Sequence, residues 1–249
     1  MPGVMSVEWA RQSEYGVRFG WAVPAVEVMR GDVIVVVDVL RFTTAVEAAV
    51  TRGAIVFPYP WRDTPAAVFA ESAGARLADG NDPLGPSLSP ASLLTMKAGE
   101  AVVLPSPNGS TCAAAARVTG ATVVAACLRN ASAVAEWVAS CQGSVSVIAC
   151  GERWPDGSLR PALEDLLGAG AVLSGLPDPR SPDARAAMSA WRGASATIDT
   201  TLLECPSGRE LIERGRLEDV RYAAQVDVSE VVPVLRDGAF RFDLDAGSG

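Results

Sequence analysis

The stretch VIVVVDVLRFTTAVEAAV, residues 33–50, decides how the chain is read. Residues 33–37 are an unbroken Ile/Val run, the pattern of a strand buried on both faces within a mostly parallel sheet. Thr44-Ala45-Val46-Glu47 has the form of a capping box and predicts a helix from there through Val50. Between strand and helix stand an acid, Asp38, and a base, Arg41. Ligands of open α/β sheets bind just beyond the carboxyl ends of the strands. Two opposite charges at such an end are therefore either part of a ligand site or a salt bridge that fixes the loop.

The same strand, turn and helix grammar recurs three times. An apolar strand at 101–104 leads through PSPNGST into a CAAAARV helix; a strand at 122–127 leads through LRN into a helix at 131–140. A strand at 145–150 leads through the longer loop GERWPDGSLR into a helix at 161–173, with Pro161 in its first position. Strands alternating with helices specify βαβ units. The fold class expected is α/β, a three-layer α/β/α arrangement on a mixed, mostly parallel sheet, with the strand ends at Val37, Leu104, Cys127 and Cys150 sharing one edge. One domain over 1–249 is expected, and the Pro- and Asp-rich segment 177–183 is where a lobe boundary would fall. Helices are predicted near 184–192 and 207–214, the second stopped by Gly215, followed by strands near 220–226 and 231–235. Residues 77–93 read as a long ordered loop.

Composition narrows the chemistry. The 249 residues are 49% hydrophobic with a formal net charge of −8, which disfavours a phosphate backbone as partner and leaves a small molecule. There is no histidine, so Ser-His-Asp and Cys-His hydrolases, HExxH proteases and His-rich metal centres are excluded. A metal, if used, is hard and oxygen-bound. Five cysteines without CxxC spacing suggest reduced thiols rather than disulfides or zinc. With no basic-then-apolar leader and no apolar run of about 20 residues, a cytoplasmic protein with no membrane partner is expected. A homodimer is left open by the sequence.

Four strand ends carry polar groups: Asp38 with Arg41, Asn108-Gly109-Ser110-Thr111, Arg129-Asn130, and Glu152-Arg153. The amides of 108–111 at a helix start suit a phosphate or carboxylate, and Arg41 could add bidentate contacts to the same anion. Each residue alone also has a plain structural reading. Thr43 and Thr44 serve as caps, Asn108-Gly109 as a tight turn, Glu164 and Asp165 as first-turn acids, and Cys150 as a core thiol. Convergence on one edge is what favours a site.

The blocks VVVDVLRFTTAVEAAVTRGA, PSPNGSTCAAAA, ACLRNASAVAEWV, IACGERWPDGSLRPALEDLLGAGAVL and DVRYAAQVDVSEVVPVL, in this order, resemble the 2-phosphosulfolactate phosphatase family from about Val33 to Leu235. The resemblance implies a three-layer α/β fold and a Mg²⁺-dependent phosphatase that converts 2-phosphosulfolactate to sulfolactate and phosphate. It implies a small anionic phosphorylated metabolite as partner. Carried over by motif, Asp38 and Arg41 are catalytic; Thr43, Thr44, Asn108, Gly109, Ser110, Thr111 and Asn130 hold the substrate; Asp38, Glu164 and Asp165 hold the metal. The family's usual stretch before the third strand is longer and more acidic than the ADGNDPLGPSLSP found here.

Two rivals come from other classes. Asp38, Lys97 and Cys150 fall in the order of the Asp-Lys-Cys triad of isochorismatase-like cysteine hydrolases, and Lys97 is the sole lysine. A non-catalytic phosphometabolite-binding module would keep the anion site without turnover. A haloacid-dehalogenase-type site is excluded because Leu40 stands two residues after Asp38, where a second Asp is required.

Overall fold

The computed structural model describes residues 7–60, 64–82 and 85–242. In chain order its strands are β1 (Val17–Trp21), β2 (Val33–Val37), β3 (Ile55–Tyr59), β4 (Arg76–Leu77), β5 (Ala101–Pro105), β6 (Thr122–Ala126), β7 (Val145–Ala149), β8 (Glu152–Arg153), β9 (Leu159–Arg160), β10 (Pro233–Arg236) and β11 (Ala239–Phe242). Nine of them form one sheet in the order β1-β7-β2-β6-β10-β11-β3-β5-β4, while β8 and β9 make a separate antiparallel pair. The Ile/Val run of β2 lies centrally, with Val33 to Val37 aligned parallel to Thr122–Ala126 on one side and to Val145–Ala149 on the other. All five β2 residues are buried. Val33, Val35 and Val37 belong to one apolar cluster, and Ile34 and Val36 to another, as a two-residue side-chain period requires.

The helices are α1 (Ala22–Met29), α2 (Phe42–Thr51), α3 (Thr64–Ser72), α4 (Pro90–Leu93), α5 (Gly109–Val118), α6 (Ala131–Ser140), α7 (Leu163–Gly175), α8 (Pro182–Ala194), α9 (Ile198–Glu204), α10 (Pro206–Glu213) and α11 (Leu217–Ala223). Val26, Phe42, Leu93 and Cys112 bring α1, α2, α4 and α5 onto the Ile34 face. Val134, Leu167, Met188, Leu202, Leu211 and Val220 bring α6 through α11 onto the Val35 face. The result is the three-layer α/β/α arrangement on a mixed, mostly parallel sheet.

Several local expectations are corrected. The Thr44–Glu47 capping box does not form: α2 begins at Phe42, Thr44 Oγ1 donates to Val39 O at 2.7 Å, and Glu47 is drawn to Arg129 at 2.8 Å. Loop 151–160 folds into the β8–β9 pair, and the helix after it starts at Leu163 rather than Pro161. The strand predicted near 220–226 is helix α11, whose buried Val220 and Ala223 stand three apart. Within 77–93 the described residues include the end of β4 and the short helix α4. Segment 177–183 joins α7 to α8 and is tied to β1, with Val17 N–H donating to Pro179 O at 3.1 Å and Ser181 N–H to Val17 O at 2.9 Å.

The four expected strand ends are also arranged differently. Those of β2, β6 and β7 are neighbours, but β5 is separated from them by β3 and the antiparallel pair β10–β11. That pair turns at Asp237 and Gly238, both with positive φ (51° and 82°), the geometry of a tight hairpin, and joins the two parallel parts of the sheet. Residues after β5 nonetheless reach the end of β2, because Gly109 at the start of α5 bonds to Asp38.

Candidate functional site

Asp38 leaves β2 already desolvated, and its two carboxylate oxygens accept different backbone donors. Phe42 N–H reaches Oδ1 at 3.0 Å and Gly109 N–H reaches Oδ2 at 2.9 Å. Thr43 closes the same turn: its Oγ1 accepts Asp38 N–H at 2.9 Å and donates to Asp38 O at 2.7 Å. Gly109 has to be glycine, since a Cβ there would stand 2.2 Å from Phe42 Cδ1 and 2.7 Å from Asp38 Oδ2.

Arg41 occupies the N-cap of α2. Its Nη1 donates to Asp219 Oδ2 at 2.5 Å, and Ser89 Oγ donates to the other oxygen of Asp219. The loop-fixing pair between Asp38 and Arg41 is thus not made; the buried carboxylate of Asp219 on α11 holds the guanidinium instead.

Three further acids gather behind Asp38. Asp165, in the first turn of α7, accepts Val39 N–H on Oδ1 at 2.7 Å and Gly151 N–H on Oδ2 at 2.8 Å, fastening the ends of β2 and β7 to that helix. Glu164 is buried beside it, and its Oε2 has no hydrogen-bond partner. Glu152 accepts Asn108 Nδ2 at 2.8 Å. Burial, then repulsion from Glu164, pushes Asp38 up to about 6 despite its two amide donors and Arg41. Burial and the charge of Asp38 push Glu152 up to about 7, and the same causes push Asp165 well above the carboxylate range.

A cleft of about 200 Å³ opens onto this cluster. Asp38, Arg41, Ser106, Asn108 and Glu152 line it from the sheet side, Leu88 from the irregular loop, and Ser207, Glu210 and Leu211 from α10, with Arg214 at its C-cap. Those last four lie at positions 207, 210, 211 and 214, one face of a helix. Their spacing was visible in the sequence; which element they face was not. Asp219 also escaped the sequence reading, since nothing local marks it as the partner of a residue 178 positions away.

The other residues expected to hold substrate sit behind the cleft wall. Thr43, Thr44, Ser110 and Asn130 are fully buried. Ser110 Oγ donates to Leu104 O at 2.9 Å, while Asn130 accepts Cys127 N–H at 2.9 Å and donates to Val231 O at 2.9 Å. Their polar groups satisfy buried backbone, and so hold the loops in place. The Gly109 N–H, expected to cradle an anion, is shared between Asp38 and Ser106 Oγ. Thr111 Oγ1 is buried without a partner. For the rival triad, Lys97 is exposed in the turn before β5, where its backbone N–H meets Glu100, and burial holds the Cys150 thiol well above its usual range. Lys97 lines neither cavity that Asp38 or Cys150 borders.

The donor set fits a hard dication. Every side-chain donor in the cluster is a carboxylate oxygen, one of them orphaned, and the acids are held close enough to repel one another. Among the described residues no group of three or more His, Cys, Asp or Glu side chains is placed to hold a metal ion. A cation here would have to be one that, like Mg²⁺, takes one or two carboxylates and keeps several waters. Asp38, which lines the cleft, and Glu164, whose Oε2 is unpartnered, are the residues that could hold it, with Asp165 behind them anchoring backbone through both oxygens. Among the described residues, no helix is long and apolar enough to cross a membrane.

Comparison with known proteins gives a consistent picture. Residues 23–238 match the family model described as 2-phosphosulpholactate phosphatase. The chain is 33% identical over 230 residues to a probable 2-phosphosulfolactate phosphatase of Deinococcus radiodurans, covering 87% of this chain and 92% of that protein. It is 30% identical over 214 residues to a probable 2-phosphosulfolactate phosphatase of Pseudothermotoga lettingae, with 84% and 91% covered. It is 28% identical over 208 residues to the 2-phosphosulfolactate phosphatase of Methanothermobacter thermautotrophicus, with 82% and 87% covered.

Proposed function

Because the chain belongs to the 2-phosphosulfolactate phosphatase family, a family of phosphoric monoester hydrolases, we propose that it uses Mg²⁺ to hydrolyse a small acidic phosphomonoester of the 2-phosphosulfolactate kind, acting in the cytoplasm. The observation that carries this reading is the placement of Asp38 and Arg41 on one small cleft, each fixed by a different set of bonds. Amides clamp the carboxylate, and a buried acid clamps the guanidinium. Five free thiols suit a reducing compartment.

Arg41 is the residue for the phosphoryl oxygens. Asp219 holds one side of its guanidinium, and the remaining donors are free to take the charge that builds on the transferring group. Arg214 adds a second positive charge at the rim of the cleft, partly spent on Glu210 at 2.7 Å. Asp38 and Glu164 would hold Mg²⁺, which when bound neutralises phosphate charge and orients the attacking water. Glu152, poised near neutral pH, is suited to hold the proton that the leaving oxygen requires. Asn108 keeps that carboxyl turned into the cleft by bonding one of its oxygens.

The test is phosphate release from 2-phosphosulfolactate and other small 2-phospho acids, with Mg²⁺ and with a strong chelator. Release that depends on Mg²⁺ and falls in Asp38→Asn and Arg41→Ala supports the reading. Release that survives chelation removes the metal from it. Release unchanged in both folded variants removes the site.

A further inference from the structure

Beside the polar cleft lies a second cavity, of about 290 Å³. Its walls are Ala22, Val23 and Pro24 at the start of α1, Cys112 of α5, Cys150 after β7, and Leu159 of β9. Asn108 and Glu152 line both cavities, and their side chains are bonded to each other at 2.8 Å, so that pair is the boundary the two spaces share. The β8–β9 pair is pressed close to form one wall. Gly151 has φ +64°, and a Cβ there would stand 2.6 Å from Leu159 Cδ1 and 3.0 Å from Arg160 O.

The chemistry of the two spaces differs sharply. The cleft carries Arg41 and Arg214, whereas the second cavity is walled by methyl and methylene groups and two buried thiols. Its charged residues are Glu152 at the junction and Arg153, which is exposed and bonded through Nη1 to Gly157 O at 3.4 Å. A sulfonate or second carboxylate placed inside would lose its hydration against carbon and sulfur beside Glu152, with only the exposed Arg153 to pair with. An alkyl group loses nothing there and leaves water behind.

We propose that this chamber receives an apolar group of several carbons on the phosphomonoester whose phosphate occupies the cleft. The inference rests on the phosphatase reading of the cleft and specifies its substrate class: a phosphomonoester with an acidic head and an alkyl arm.

The test uses the full chain and n-alkyl phosphonates, methyl to hexyl, which bind without turning over, measured by calorimetry in Mg²⁺. The matching n-alkyl phosphates report phosphate release. Affinity should rise about fourfold per methylene, the usual worth of burying one, until the chamber is full. Val23→Trp should flatten the series, and Leu159→Trp, on the solvent-facing β9, should do so without disturbing the core. A terminal sulfonate should weaken binding about tenfold. A flat series in the wild type, a series left steep by both tryptophan variants, or tighter binding of the sulfonate overturns the proposal. A steep series flattened by the variants but without phosphate release from any ester, 2-phosphosulfolactate included, keeps the chamber and removes the hydrolase reading.

Discussion

Raising the pH from 5 to 8 in the presence of a chelator should destabilise this protein, and Mg²⁺ should reverse the effect. With no histidine in the chain, the usual titrating groups are missing from that window and the buried carboxyls dominate it. Asp38 moves from 3.8 to about 6 and Glu152 from 4.5 to about 7 on folding. A folded pKa above the unfolded one contributes stability that is fully present below the unfolded value and is lost as pH rises through the folded one. Between pH 5 and pH 8 that loss is on the order of 1–2 kcal/mol for Asp38 and 2–3 kcal/mol for Glu152. The Glu152 value already contains repulsion from Asp38, so about 3 kcal/mol together is the expected magnitude, with Asp165 acting in the same direction. For a chain of this length that is roughly a 10 °C fall in Tm. The assay is thermal unfolding at pH 5, 6, 7 and 8 with chelator, repeated with about 10 mM Mg²⁺. The metal should add little at pH 5, where protons already neutralise the cluster, and most at pH 8. Glu152→Gln should roughly halve the pH dependence. A Tm that is flat or rises from pH 5 to 8 under chelation would show that these acids are not destabilised by one another, and the argument for a cation would fall with it.

Three further outcomes test the site's construction. Arg41→Ala should reduce kcat/KM about 100-fold, as loss of a contact to transition-state charge does; Asp219→Asn should cost about tenfold, and the double variant should be no worse than Arg41→Ala in steady-state phosphate release. Thr44→Ala removes the bond to Val39 O and should lower unfolding free energy by about 1 kcal/mol in a denaturant titration. Gly109→Ala forces a methyl group into Phe42 and Asp38, so both Tm and phosphate release should fall, whereas Gly120→Ala, whose Cβ would meet nothing within 4 Å, carries only the strain of its positive φ and should leave turnover intact.

The parts of the fold legible in the sequence were those whose pattern answers to one cause. The run 33–37 could only be a strand covered on both faces, and the helix 131–140 carries its apolar side chains at helical spacing between a turn and a strand. The segment 220–226 was ambiguous because its Val, Tyr and Ala content suits a strand, while its buried positions, Val220 and Ala223, recur at helical spacing. The Asp-Gly of 237–238 was a hairpin signal in plain view, but the pair it creates lodges in the middle of the sheet, and nothing local says where a terminal hairpin inserts. The site divides in the same way. Asp38 could be found because a strand end is a fixed place, but its bonding could not, since one of its two donors comes from residue 109. Those two amides decide the rest. With an N–H on each oxygen, Asp38 is held in place without Arg41, and the guanidinium three residues on is left to another acid. That acid is Asp219, brought there by α11, and it leaves Asp38 without a direct counter-charge in a buried cluster of carboxyls. A charge left in that state favours either a proton or a metal ion. Asp38 and Arg41 therefore stand apart, the acid held by two amides and the base by Asp219, and it is this separation that the proposed cation and anion sites rest on.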